Sequence, residues 1–418
     1  MTTLRGASVL VFALLVSCAP PDTDAVAYVG ATIWDGTGSA PIANATMVVD
    51  GGRIIAISSD GSVPRGAEVV ELMGKFIMPG LIDTHGHVSG RWAPQSVTDE
   101  SDRIRGDLEL FAKYGVTTVN SLGDGAAVIA VRDAAAPMDG RARLLAAGAV
   151  IGAGDPAEAR AAATANADAG VDWLKVRVDD NLGTGEKMPW DAVQAVLDVG
   201  RERGLPVATH LFYLEDAKRL LEMGTGMVAH SVRDTDVDDA FISALKESGV
   251  CYVPTLTREL STFVYADRPD FFDDDFFTEL ADEQEVARVS APAFMERMKE
   301  SRAAAGYRVA LAQALRNLKA LVDAGAPVTF GTDAGPAARF PGFFEHLELE
   351  MMVEAGIEPE EALIAATSRA AECLGMDDVG SLQVGKWADF IVLAASPLED
   401  ISNTQTLEQA YVAGRSMR

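Results

Sequence analysis

Cysteine is scarce, with three in 418 residues. A chain this long with so few has no disulfide framework, and Cys251 and Cys373, each in an apolar context, are expected as buried thiols. Basic residues are also few: 35 Lys and Arg stand against 62 Asp and Glu, for a formal net charge of -27. Such an acidic surface repels phosphate backbones and anionic headgroups, which excludes nucleic acid as a partner and basic adhesion to a membrane. Histidine, at five, is rare enough for each to be placed individually. Apolar residues are plentiful at 48%, with 23% charged, so the chain is globular rather than disordered or fibrous. Its length suits two or three domains of roughly 150 residues, or one large barrel with attachments.

Residues 1–18 have one basic residue, Arg5, a largely apolar run from Ala7 to Val16, then Ser17 and Cys18. The run is shorter than the roughly 20 residues needed to span a bilayer and has the length of a signal-peptide core. Leu15-Val16-Ser17-Cys18 resembles the bacterial lipoprotein box, in which the cysteine becomes the lipidated N-terminus. Residues 1–18 are therefore read as signal peptide and lipobox, and 19–25 as a tether. The expected location is extracytoplasmic, with membrane attachment only through a lipid on Cys18; simple secretion is the alternative.

From 26 to 78, short apolar or alternating runs are bounded by Gly, Asp and Pro, the pattern of hairpins. Residues 380–418 have the same pattern, and the two ends are expected to join in a small β-sandwich. Between them, from 79 to 379, eight strand-like segments alternate with helix-like ones: Leu81 to His87, 115–122, 143–150, 173–178, 206–211, 226–230, 250–255 and 327–333. This alternation predicts an α/β fold, a distorted (β/α)8 TIM barrel. An acidic, aromatic-rich insertion at about 256–307 follows the seventh strand, where it would form a lid or pocket wall, or a solvated helical excursion.

The rare polar residues fall on those strands. His85 and His87 end the first, Lys175 lies in the fourth, His210 and His230 end the fifth and sixth, and Asp333 ends the eighth. In a barrel these ends converge on one mouth. Residues i and i+2 of a strand project to the same side, so His85 and His87 can approach one cation together. Four of the five histidines at strand ends, with a carboxylate on the last, predict a metal site.

Several motifs together resemble the amidohydrolase superfamily: PGLIDTHGHV around His85 and His87, THL at His210, AHS at His230, GTDAG at Asp333, and the trailer EALIAATSRAAECLG with GSLQVGKWADFIVL. The resemblance implies a metal-activated hydroxide that hydrolyses an amide or related bond. It also implies that His85, His87 and Asp333 hold one divalent ion, and His210 and His230 a second. Imidazole and oxygen ligands suit zinc without excluding manganese, iron or cobalt.

Lys175 sets the subtype. A protonated amine has no lone pair for a cation, but a buried lysine loses its proton and can add CO2 to give a carbamate with two bridging oxygens. In the resemblance this marks the binuclear branch that includes Xaa-Pro dipeptidases. The expected substrate is a small carboxylate-bearing amide, such as an Xaa-Pro dipeptide or N-acyl amino acid, with Asp333 as proton shuttle. Arg233 and Arg258 are candidate clamps for the carboxylate, or else pair with acidic neighbours such as Glu259. Tyr252 and His346 are further candidates for substrate contact, with packing as the alternative for both. Competing readings are an imidazolonepropionase-like cyclic amidohydrolase or lactonase, and a non-catalytic binding protein.

Overall fold

The computed structural model describes residues 24–136 and 138–418. The expected signal peptide, lipobox and most of the tether lie outside the described residues. Ala25, assigned above to the tether, already packs: it is buried and its carbonyl accepts from the Glu68 amide.

The chain's two ends meet in one eight-stranded sheet. Its order is Arg415–Ser416, Leu407–Val412, Phe390–Leu393, Phe76–Pro79, Val26–Ile33, Ile42–Asp50 and Arg53–Ser58, with Glu68–Glu71 also paired to Val26–Ile33. The bond between the ends is antiparallel, with Phe390 opposite Pro79 and Leu393 opposite Phe76. Aromatic residues from both ends seal it: Phe390 stacks on Tyr411 at 4.3 Å, and Tyr28 meets both edge-on.

The intervening chain forms two parallel sheets. One runs Leu81–Gly86, Val116–Ser121, Arg143–Ala146, and the other Leu174–Arg177, Val207–His210, Met227–Ala229, Cys251–Val253. Helices follow the strands, and many begin at an acidic cap that the sequence supplies. Asp99, Asp155 and Asp238 each accept from amides of the first turn of the helix they precede.

The segment 327–333, expected as the eighth strand, is not a regular strand. It hydrogen-bonds on both sides all the same, through Thr329 N to Tyr252 O (2.9 Å) on one side and Thr84 N to Phe330 O (3.1 Å) on the other. Asp333 has φ 58°, outside the extended range, which is why the ladder stops there. On the far edges, Ile151 N donates to Lys175 O at 2.9 Å and Arg177 N to Ile151 O at 3.0 Å.

Long-range packing overturns one expectation and bears on another. Cys251 and Cys373 are not buried thiols: they form a disulfide, with Cα atoms 6.0 Å apart and a sequence separation of 122. Their apolar neighbours hid this, because no local pattern shows that helix Ser368–Cys373 packs beneath strand Cys251–Val253. The 256–307 insertion packs through part of its length, while its helix Pro292–Glu300 has no buried residue. Tyr265, Phe272, Phe276 and Phe277 are buried, and the insertion's rings contact Phe340, Phe343 and Phe344.

Candidate metal centre

His85, Lys175, His210, His230 and Asp333 are all buried, Lys175 within strand Leu174–Arg177 and the others at or just beyond the C-terminal ends of their strands or segments, and His87 is nearly so. Lys175 Nζ lies 3.1 Å from His85 Nε2. The ring of His230 is 4.6 Å from that of His85 and 4.2 Å from that of His210, centre to centre. Asp333 Oδ1 is 2.8 Å from His87 Nε2 and 3.9 Å from His85 Nε2. Two residues before Lys175 and His210 on the same strand faces, Trp173 and Ala208 join Ile82, Met227 and Val253 in an apolar floor beneath the cluster.

Among the described residues, one ligand atom each from His85, His230 and Asp333 lies within 4.8 Å of the others, a spacing that suits a cation. The surrounding oxygens fit the same reading. His230 Nδ1 is 2.7 Å from Thr255 Oγ1 and His210 Nε2 is 2.5 Å from Asp179 Oδ2, whereas Asp124 Oδ1 stands 3.9 Å from His87 Nδ1, beyond hydrogen-bond distance. A metal-bound imidazole characteristically ties its second nitrogen to a protein oxygen in this way. His85 Nδ1 is buried with no partner among the described residues, so an unspent nitrogen stands at the cluster.

Electrostatics favour neutral, ligand-ready imidazoles. Burial, with the charge of Lys175, holds His85 well below the ordinary histidine value, and burial with the His210 charge does the same to His230. Burial lowers His210 to about 3 despite Asp179. His87 behaves differently: burial lowers it, but the neighbouring carboxylates of Asp124 and Asp333 prevail and raise it to about 9. Burial brings Lys175 down to about 7. Asp333 is held well below the usual carboxylate range because the charge of Arg339 and its bond to His87 outweigh burial.

Backbone strain concentrates at the same mouth. His230, Thr255 and Asp333 have φ of 87°, 49° and 58°, a region costing non-glycine residues on the order of 1–3 kcal/mol each. Buried acids behind the site hold these turns. Glu348 accepts from the amides of Leu256 and Thr257 at 2.6 and 2.7 Å. Asp83 accepts from the His85 amide at 2.8 Å and the Thr332 hydroxyl at 2.6 Å. The turn after Asp333 needs glycine: at Gly335, φ is 109° and a Cβ would sit 2.0 Å from the His87 carbonyl oxygen.

The candidate substrate residues fare less well. Arg233 is 2% exposed: Nη1 donates to the carbonyls of Leu211 and Ser231 and Nε is 3.0 Å from Glu259 Oε1, while Nη2 is buried with no hydrogen-bond partner among the described residues. Arg258 gives Nη1 to both Glu259 oxygens and Nη2 to Tyr307 Oη, although its Nε faces Asp333 Oδ2 at 3.9 Å. Both expected clamps pair with Glu259, and Arg233 Nη2 and Arg258 Nε remain without a hydrogen-bond partner among the described residues. Tyr252 is wholly buried, its hydroxyl accepting from the Val232 amide at 2.7 Å, and is a packing residue. His346 is also wholly buried away from the cluster, with Nε2 2.8 Å from the Tyr114 carbonyl and its ring against Phe276. A helix stripe rather than a strand end carries it, which is why it cannot reach the mouth.

The sequence reading missed Asp124, Asp179, Thr255 and Arg339. The first three lie one to three residues beyond apolar strand segments, a position that could have nominated them.

The chain resembles imidazolonepropionase of Deinococcus radiodurans, 26% identical over 401 residues that cover 90% of this chain and 92% of that protein. Among solved structures, a Bifidobacterium longum protein provisionally named a prolidase matches with a TM-score of 0.75 at 26% identity, over 95% of each chain. A Xaa-Pro dipeptidase with methionine bound in its active site matches with a TM-score of 0.72 at 23% identity, over 94% of this chain and 99% of that one. The latter likeness is one of fold, a TIM-barrel-like α/β architecture. The sequence pattern of the amidohydrolase family matches residues 76–417, and the chain, which gathers His85, His230 and Asp333 into a group able to hold a metal ion, belongs to that family.

Proposed function

We propose that the chain is a binuclear amidohydrolase that cleaves the amide of a small carboxylate-bearing substrate, such as an Xaa-Pro dipeptide or an N-acyl amino acid. The chain is a hydrolase of carbon–nitrogen bonds. Its two parallel sheets and the 327–333 segment are read as a closed, distorted eight-stranded barrel, and the sheet made from both chain ends as the attached small β domain.

The observation that carries the reading is Lys175. It is a buried amine beside His85, lowered to about 7, among four histidines and Asp333. Neutral near physiological pH, its nitrogen can attack CO2 and lose a proton, so that a carbamate offers two oxygen donors where an ammonium offers none. His85, His87 and Asp333 would hold one ion, His210 and His230 the other, with the carbamate shared. Two divalent cations, zinc by this ligand chemistry, would lower the pKa of a water towards neutrality and polarise the substrate carbonyl. Asp333 accepts the water's proton as the new C–O bond forms and delivers it to the leaving nitrogen as the C–N bond breaks.

A cyclic-amide reading is favoured by the likeness to imidazolonepropionase over nine-tenths of the chain. Lys175 separates the two, since a one-metal site has no use for a carbamate. Residues 1–18 are proposed as a lipoprotein signal placing the protein outside the cytoplasm, a reading supported by the Cys251–Cys373 disulfide, because such bonds persist in oxidising compartments.

The test is elemental analysis with turnover of dipeptide and N-acyl amino acid libraries. About two metal ions per chain are expected; fewer than one would sink both enzyme readings. Asp333→Asn should lower kcat by at least ~100-fold, within the worth of a positioned acid–base group, while the fold survives. A near-normal kcat would refute the proton role.

A further inference from the structure

Asp333 divides its carboxylate between two surroundings. Oδ1 faces His87 and His85, whereas Oδ2 accepts from Arg339 Nη1 at 2.6 Å, with Arg258 Nε 3.9 Å away. Of the three guanidiniums nearby, the side chains of Arg233 and Arg258 are 0% and 9% exposed and bound to Glu259. Arg339 is the most exposed of the three, at 19%. Its remaining bonds are weak and replaceable: Nε to Ser261 Oγ at 3.2 Å and Nη1 to the Asp333 carbonyl at 3.2 Å. Nη2 donates to no protein acceptor among the described residues.

The backbone that carries Arg339 cannot move far. Gly335 N donates to Arg339 O, the Trp92 indole donates to Gly335 O at 2.6 Å, and the Tyr265 hydroxyl donates to Ala338 O at 2.7 Å. Glu285 accepts from the Ala338 amide, which fixes that alanine at φ 66°. The moving part is therefore the side chain, a planar fork on a rigid loop, the arrangement best suited to grip a carboxylate by two parallel hydrogen bonds.

We propose that Arg339 is a specificity-determining residue: it receives the substrate's carboxylate, and in doing so it leaves Oδ2 of Asp333. In the free protein the guanidinium covers the oxygen that must take the proton. A substrate carboxylate offers Arg339 a competing partner of equal charge, so Oδ2 is freed only when a substrate bearing that group is in place. Substrates without it meet a capped Asp333 and lose kcat as well as affinity. This rests on the reading of Asp333 as proton carrier, but the carboxylate contact can be tested without turnover.

The test uses the full metal-loaded protein and the variants R339M and R339K. Titration calorimetry compares N-methylphosphonyl-L-proline, whose phosphonate occupies the metal end, with the prolinol analogue that lacks the carboxylate. Wild type should favour the acid on the order of 10–100-fold, the worth of a charge-assisted hydrogen bond; R339M should bring the two nearly level, and R339K should keep part of the preference. In steady-state kinetics on substrates paired as acid and neutral amide, R339M should raise KM for the acid and raise kcat for the amide above wild type. Preference for the acid that survives in R339M, or is missing from wild type, overturns the assignment. Loss of bound metal in R339M overturns it too, since Arg339 would then serve only to hold Asp333. If the preference and its loss are seen while no substrate is cleaved, Arg339 keeps its role and the amide-hydrolysis reading is what fails.

Discussion

Lys175→Met in the metal-free, CO2-free protein should stabilise the fold while abolishing metal retention. Methionine has nearly the length of lysine without its charge, and it suits the apolar floor beneath the site. Lysine is ionised below an ordinary 10.5, but burial brings Lys175 to about 7. At ~1.4 kcal/mol per pH unit, that displacement costs the folded state roughly 4–5 kcal/mol wherever the unfolded chain is fully protonated. Between about pH 7 and 10.5 the unfolded chain binds more protons than the folded one, so stability rises with pH across that window; below pH 7 the penalty is complete. The variant's advantage in urea denaturation should therefore be on the order of 4 kcal/mol at pH 7 and fall to about 1 kcal/mol by pH 9.5. Chelator-treated wild type and variant, measured in parallel at both pH values, supply the numbers. An advantage independent of pH, or a variant less stable at pH 7, would refute the account of Lys175 as a buried amine held at a cost for function.

Serine at both Cys251 and Cys373 should lower unfolding free energy by ~2–5 kcal/mol, because the bond closes a loop of more than a hundred residues. Reductant should lower the Tm of the wild type and leave that of the double variant unmoved; an equal response in both would remove the bond from the stability account. Arg233→Met should unfold the protein more readily, by about 1–3 kcal/mol: Glu259 keeps its bonds from Arg258, but the buried carbonyls of Leu211 and Ser231 lose their donor. Thermal melts and kinetics distinguish the outcomes: a raised KM with unchanged stability would return Arg233 to the substrate.

The parts of this protein visible in its sequence are those set by local period and by rarity. Strand-length apolar runs ending in His85, His210 and His230 placed the cluster, because a strand end in this architecture has only one place to point. Partners chosen in three dimensions were hidden. Arg233 and Arg258 looked free on their loops, yet Glu259 takes both, and nothing in the order of residues says which carboxylate a long cation will meet. Arg339 went unnoticed because its value comes from the turn at Gly335 and Ala338, held by residues of a distant insertion. Cys251 and Cys373 were misread for the same reason. The irregular eighth segment follows from the left-handed backbone at Asp333, a feature of the folded site that no residue preference announces.

The sheet built from both chain ends has a bearing on how the protein comes into being. Strand Phe76–Pro79 is made early, with all four residues destined for burial, but its antiparallel neighbour Phe390–Leu393 emerges more than three hundred residues later. Until then the nascent chain carries a bare apolar edge, the kind of template that recruits foreign strands. Folding must wait on the last tenth of the chain, and contacts so distant in sequence form slowly. A chain cut short before Phe390 should collect in aggregates even though every proposed metal ligand is present, so the burden of solubility falls on a segment that takes no part in the chemistry.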